Sequence, residues 1–160
     1  MRNPEAHAVI DAPIEVVWEV MVDTARYAEW NSFIRLAECP SPPSVGDPIR
    51  LHVEFKPGGR RITSPERISI LDGPTGGSPR RAHLAYVFEG WPARWRLVRG
   101  TRHQRLTQEP GGPTLYETVE DFSGPLVPLA GPRRVQAGFV RHAADLKAQA
   151  ESLAWSRKAE

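Results

Sequence analysis

The sequence predicts an α+β domain in which an antiparallel sheet curls around one long C-terminal helix. Three observations carry this reading. Residues 33 to 122 fall into short β-type runs separated by Pro- and Gly-rich turns; from Arg133 onward the apolar period switches to three or four; and the earlier helical pattern, up to Trp30, is short. A chain of 160 residues is expected to form a single domain, 1–160, around one core.

The elements follow in order. Residues 5–11 (EAHAVID) read as a strand that DAP breaks. Pro13 suits a first helical turn, with Asp11 as its cap, and Ile14, Val17, Trp18 and Met21 make one apolar stripe. Asp23 and Thr24 are placed to cap a second short helix through Tyr27 to Trp30, which Asn31-Ser32 ends. Strands are expected at Phe33–Glu38, Ile49–Phe55, Ile62–Leu71 and Arg81–Phe88, each followed by turn chemistry, and then as a hairpin across 101–122. Pro57-Gly58-Gly59 and Pro110-Gly111-Gly112 are hairpin signals. The last helix places Val135, Phe139, Ala143, Leu146, Ala150 and Leu153 on one face.

Composition excludes several classes of function. An apolar fraction of 40% and a charged fraction of 25% are those of a soluble globular protein, and no apolar run approaches the roughly 20 residues of a membrane helix. The N-terminus MRNPEAHAVI lacks a secretory pattern, so a cytoplasmic location is expected. A lone Cys39 permits neither an internal disulfide nor a thiolate metal site. The net charge of +2 argues against a nucleic-acid partner, and the Arg-rich RWRLVRGTRHQR is followed by the acidic YETVED, which suits an exposed strand face better than a phosphate groove. No HxH, HExxH or GxSxG spacing occurs, so neither a metal nor a cofactor is called for.

The stretches VIDAPIEVVWEVMVDTARYAEWN, GPTLYETVEDFSGPL and GFVRHAADLKAQAE resemble the polyketide cyclase/dehydrase branch of the START-like (SRPBCC) superfamily, and the resemblance runs over essentially the whole chain. It implies the helix-grip fold: a seven-stranded antiparallel sheet wrapped around the C-terminal helix, with two short helices after the first strand and an elongated cavity between sheet and helix. Members with this fold include aromatase/cyclases, lipid carriers and hormone receptors, so the fold alone names no activity.

A turn centred near residue 111 pairs Leu106 with Tyr116, Gln104 with Thr118, and Arg102 with Glu120 on one face. Because Leu106, Tyr116 and Phe122 share that parity, the face should be concave, with Arg102 and Glu120 inward as a cross-strand pair; a register slip of one residue would reverse this. His83 and His103 then point outward. The pair has two readings: a tie between strands, or a device that orients a ligand, Arg102 donating and Glu120 accepting a proton. Arg102, Glu120 and Tyr116 are thus the candidate catalytic residues.

Candidate ligand contacts are Trp30, Phe33, Tyr86 and Phe122 with the polar Gln104 and Thr118. Phe139 joins them, although its helical spacing equally fits ordinary core. Trp91 and Trp95, beside a Pro-containing break, are candidate gate residues, and the apolar loop 123–132 (Leu126, Val127, Leu129) should close the cavity or meet a second subunit in a homodimer. Three functions follow: binding of a hydrophobic or amphipathic small molecule; a cofactor-independent aromatase/cyclase on a polyketide-like substrate; or a protein interaction module using the 123–132 loop, which requires a filled core without a ligand-sized cavity.

Overall fold

The computed structural model describes residues 3–160. In chain order the elements are β1 (Glu5–Ile10), α1 (Ile14–Val22), a 3-10 turn Thr24–Arg26 running into α2 (Tyr27–Trp30), β2 (Ile34–Glu38), β3 (Pro48–Glu54), β4 (Arg61–Asp72), β5 (Arg80–Phe88), α3 (Trp91–Arg94), β6 (Arg99–Gln108), β7 (Thr114–Ser123), a 3-10 turn Val127–Ala130 and α4 (Pro132–Lys158). The seven strands form one curled antiparallel sheet in the order β1-β7-β6-β5-β4-β3-β2. Strands β2 to β7 are a meander, and β1 closes on β7, so both chain ends of the sheet are reached without a parallel crossover. This is the expected α+β helix-grip architecture.

Helix α1 begins where the sequence places it, with a different cap. The Pro13 carbonyl accepts the Val16 and Val17 N–H groups at 3.0 and 3.2 Å, and no side chain caps the helix. Asp11 does not cap; its N–H donates to Glu151 Oε1 at 2.8 Å and ties the end of β1 to α4. Asp23 likewise makes no side-chain cap, because the 3-10 turn that follows satisfies the backbone itself. Trp18, expected in the stripe, is only partly buried beside the fully buried Ile14, Val17 and Met21.

Helix α4 starts one residue before Arg133, with Gly131 in the left-handed region (φ 70°) and Pro132 at its first position. Its buried face carries Phe139, His142, Ala143, Leu146, Ala150 and Ala154. The alanines of the C-terminal half let α4 approach β1 and α1 closely. In the N-terminal half Val135 and Phe139 border an open space between the helix and the sheet. Gly138 sits between them, and a Cβ there would collide with the Phe33 ring, which packs against the helix backbone. The core is therefore dense at one end and hollow at the other.

Candidate functional site

The hollow is a cavity of about 470 Å³ between the concave faces of β3, β4, β6 and β7, the N-terminal half of α4, and the α3 corner. Its walls are mainly apolar: Phe33, Leu51, Val53, Phe55, Phe88, Phe122, Val135 and Phe139. Trp91, Pro92 and Ala130 stand at its rim, so α3 and the turn before α4 form the mouth. A larger groove of about 730 Å³ lies on the outer sheet face, but it is bounded by the exposed charged residues Arg67, Glu89, Arg94, Arg99 and Asp121. The interior cavity between sheet and α4, with its apolar walls, is the candidate site.

The β6–β7 register is the one the turn implies: Leu106 faces Tyr116, Gln104 faces Thr118 and Arg102 faces Glu120. Their parity is inward, for Arg102, Gln104, Leu106, Tyr116 and Thr118 are all at most 3% exposed. His83 and His103 lie on the outer face, as expected, and there His83 Nε2 and His103 Nδ1 are 2.9 Å apart.

Arg102 and Glu120 both reach the cavity, but they form no ion pair. The guanidinium turns toward its own strand pair and α4: Nε donates to Thr118 Oγ1 at 3.0 Å, Nη2 donates to Tyr116 OH at 3.4 Å, and the group lies 4.2 Å above the centre of the Phe139 ring. A second line of hydrogen bonds runs beneath it, with Tyr116 OH donating to Gln104 Oε1 at 2.8 Å and Gln104 Nε2 donating to Tyr86 OH at 3.2 Å. Burial pushes the Tyr86 hydroxyl up to about 12 and raises that of Tyr116, although the nearby Arg102 charge opposes both. Both hydroxyls therefore keep their protons at neutral pH.

Glu120 sits differently. Its carboxyl lies over Gly100, where any Cβ would collide with Oε1, so the absence of a side chain on β6 makes the room. No hydrogen bond from a described residue reaches that carboxyl. Opposite, on β4, Glu66 also faces the cavity and accepts one hydrogen bond, from Ser64 Oγ at 3.0 Å. Enclosure raises both acids, Glu66 to about 7 and Glu120 to about 8; repulsion from Glu66 adds to the shift of Glu120, and the Arg102 charge lowers both. At neutral pH the cavity therefore holds protons that ordinary carboxylates would have lost.

Of the residues proposed from sequence as ligand contacts, Phe33, Phe122 and Phe139 line the cavity and Trp91 stands at its mouth, 68% exposed. Tyr86, Gln104 and Thr118, with Tyr116, are inward but buried behind Arg102 and present no surface to the cavity. Trp30 packs edge-on against Tyr27 and His142 on the far side of the core. Trp95 is 75% exposed, one residue beyond the end of α3, and is not part of the mouth. In the 123–132 loop Leu129 is 81% exposed, Leu126 is held by its N–H to the Leu97 carbonyl at 2.9 Å, and Ala130 rather than Leu126, Val127 or Leu129 meets the cavity.

Three residues of the interior were missed. Glu66 shares strand parity with Ile68, which is 2% exposed, so alternation along β4 would have turned it inward. His142 lies three residues after Phe139 on the buried stripe of α4 and is fully enclosed, its Nδ1 accepting from Asn31 Nδ2 at 2.9 Å while Nε2 has no partner. Burial, helped by the Arg102 charge, holds it well below the usual imidazole range, so it is neutral. Asn31 completes the corner between α2 and β2 by accepting the N–H groups of Phe33 and Ile34 at 3.0 and 2.8 Å. Among the described residues there is no group of three or more His, Cys, Asp or Glu that could hold a metal ion, and no helix long and apolar enough to cross a membrane.

No protein-family model and no curated protein matches the chain. Solved structures do match its fold. The di-domain ARO/CYC StfQ of the steffimycin biosynthetic pathway superposes with a TM-score of 0.65 at 12% identity over 99% of this chain and 52% of that one, so the chain spans about half of its length. A START superfamily protein from Mycobacterium smegmatis superposes at 0.67, with 14% identity over 94% of this chain and 98% of its own. The Zhui aromatase/cyclase from a Streptomyces species superposes at 0.61, with 19% identity over 94% and 93% of the two chains. At such identities the likeness is one of fold, and the fold is START-like.

Proposed function

We propose that this START-like domain binds a hydrophobic or amphipathic small molecule between its sheet and α4. One observation carries the reading: a largely apolar cavity of about 470 Å³, within the usual range for small-molecule sites, that the apolar side chains around it leave unfilled. Its charged groups are Glu66, Arg102 and Glu120 amid mainly apolar walls, which suits a ligand with a polar end. The cavity also counts against the interaction-module reading, which needs a filled core. Native mass spectrometry of the purified protein tests the proposal by looking for a copurifying small molecule. A stoichiometric adduct supports it; a protein that carries no adduct and takes up no apolar probe refutes it.

The second reading is an aromatase/cyclase, favoured by the placement of Arg102 and Glu120 on the same cavity wall. There the apolar walls would fold a polyketide-like chain into a near-attack conformation, Arg102 would polarise a carbonyl, and the Glu120 carboxylate would take the proton of the adjacent carbon. An acid raised to about 8 is a suitable base near neutral pH. Tyr116 would act through Arg102, since its hydroxyl meets the guanidinium and Gln104 and not the cavity. Under this reading Arg102→Ala abolishes turnover while the domain stays folded; parallel loss of thermal stability and ligand binding would mark a structural role instead.

A further inference from the structure

The cavity wall has a charge mismatch. Two carboxyls, Glu66 on β4 and Glu120 on β7, face the same space as one guanidinium, Arg102, and no other cation of the described residues lines it. Arg102 is already committed to Thr118, Tyr116 and the Phe139 ring and pairs directly with neither acid. Glu120 is closely surrounded by protein, yet it receives no hydrogen bond from a described residue. A carboxyl with lone pairs aimed into an apolar cavity is costly unless something that enters the cavity satisfies it.

We infer that the ligand is a cationic amphiphile, an apolar body bearing a protonated amine, whose nitrogen is held between the carboxyls of Glu66 and Glu120. This deepens, and rests on, the small-molecule reading. An ammonium supplies the donors that Glu120 lacks and the positive charge that balances the second carboxylate. The aromatic faces of Phe33, Phe88, Phe122 and Phe139 accommodate the apolar body, and those close to the nitrogen add cation–π attraction. A ligand carboxylate would instead be repelled by the two acids once they ionise, and would meet an Arg102 already engaged by Thr118, Tyr116 and the Phe139 ring.

The other charged groups around this wall do not cancel the mismatch. Asp121, next to Glu120, points outward and adds negative charge. On β3 and β4, Glu54 is paired with Arg61 at 3.7 Å. On α4, Arg141 donates to the Glu54 carbonyl and lies 5.9 Å from the Phe33 ring centre, and His142 is neutral behind Arg102. None of these cations lines the cavity.

Binding of an amine should drive proton release, because the acids that ordinarily keep protons near neutrality must ionise to hold it. Amine affinity accordingly rises with pH up to the point at which the amine itself loses its proton. The experiment is calorimetric titration of the whole chain with three probes of one shape, naphthylmethylamine, naphthylmethanol and naphthoic acid, at about pH 6 and about pH 8.5. The amine should bind roughly ten- to a hundredfold tighter than the alcohol at the higher pH, with protons released in proportion and the advantage shrinking at the lower pH. In Glu120→Gln and Glu66→Gln, checked for unchanged melting, that advantage should fall by roughly tenfold. Equal affinity for amine and alcohol, tightest binding of the acid, or an advantage that survives both substitutions would overturn the inference while leaving small-molecule binding intact. If none of the three binds, both fall together.

Discussion

The Arg102 guanidinium lies 4.2 Å above the centre of the Phe139 ring, so the only cation on the cavity wall among the described residues is clamped between a strand pair and α4. That contact joins β6 to α4 at the point where packed core gives way to cavity. It also explains why Arg102 does not swing across to Glu120, its cross-strand neighbour.

Replacing Arg102 with Met keeps the bulk against Phe139 and removes the charge that lowers both acids. Glu66 and Glu120 should then titrate higher than about 7 and about 8, which carboxyl-detected NMR titration would read directly. Stability should fall by about 1 to 3 kcal/mol, since Thr118 and Tyr116 lose a charged donor. Unmoved carboxyl titrations would show that Arg102 does not reach them.

The same two acids give stability a pH dependence of definite sign. Their folded values lie above the ordinary 4.5, so between about 4.5 and about 8 the folded state binds more protons than the unfolded one. Stability conferred by the protonated acids is complete below 4.5 and is lost as pH rises through that window. Urea melts from acid to mildly alkaline pH should show the decline, and the double substitution Glu66→Gln with Glu120→Gln should flatten it. A wild-type profile that climbs steadily across the window, and does so equally in the double variant, would contradict the assignment.

His142 works in the opposite sense. Its depressed value means that the unfolded chain takes up a proton, below about the ordinary 6.5, that the folded chain refuses, so its contribution is lost on acidification. Substitution by Phe should lessen acid sensitivity below that pH. It should also cost about 1 to 3 kcal/mol at neutral pH, because Asn31 Nδ2 is left without its acceptor. Thermal melts of the variant at neutral and acidic pH separate the two effects.

Filling the cavity tests its use. Val135 lines it from α4, and Val135→Trp would occupy part of the about 470 Å³. Copurifying or added ligand should be excluded while melting temperature holds or rises, because the bulk enters empty space and not packed core. Ligand uptake equal to that of the parent chain would place the binding site elsewhere.

Much of this molecule could be read from local pattern. The hairpin turn at Pro110-Gly111-Gly112 aligned β6 with β7 residue by residue, and the period along α4 marked Phe139, Ala143, Leu146 and Ala150 as buried. Both follow from short-range constraints: turn geometry sets register, and side-chain period sets the buried face. The expected caps did not form: the Asp11 N–H is tied to Glu151 on α4, a contact that only the tertiary structure makes, and Asp23 makes no side-chain cap.

By itself, then, the sequence determined the element order, the β6–β7 register and the inward direction of Arg102 and Glu120, all of which rest on neighbours in the chain or across one tight turn. Tertiary structure alone decided which inward groups meet. Glu66 and Glu120 stand on strands separated by two others, and only the curl of the sheet and the bare backbone at Gly100 bring them to one space. Whether Arg102 paired with Glu120 or with Thr118, Tyr116 and Phe139 depended on where α4 came to rest, because a long flexible side chain settles on the partners that packing leaves within reach.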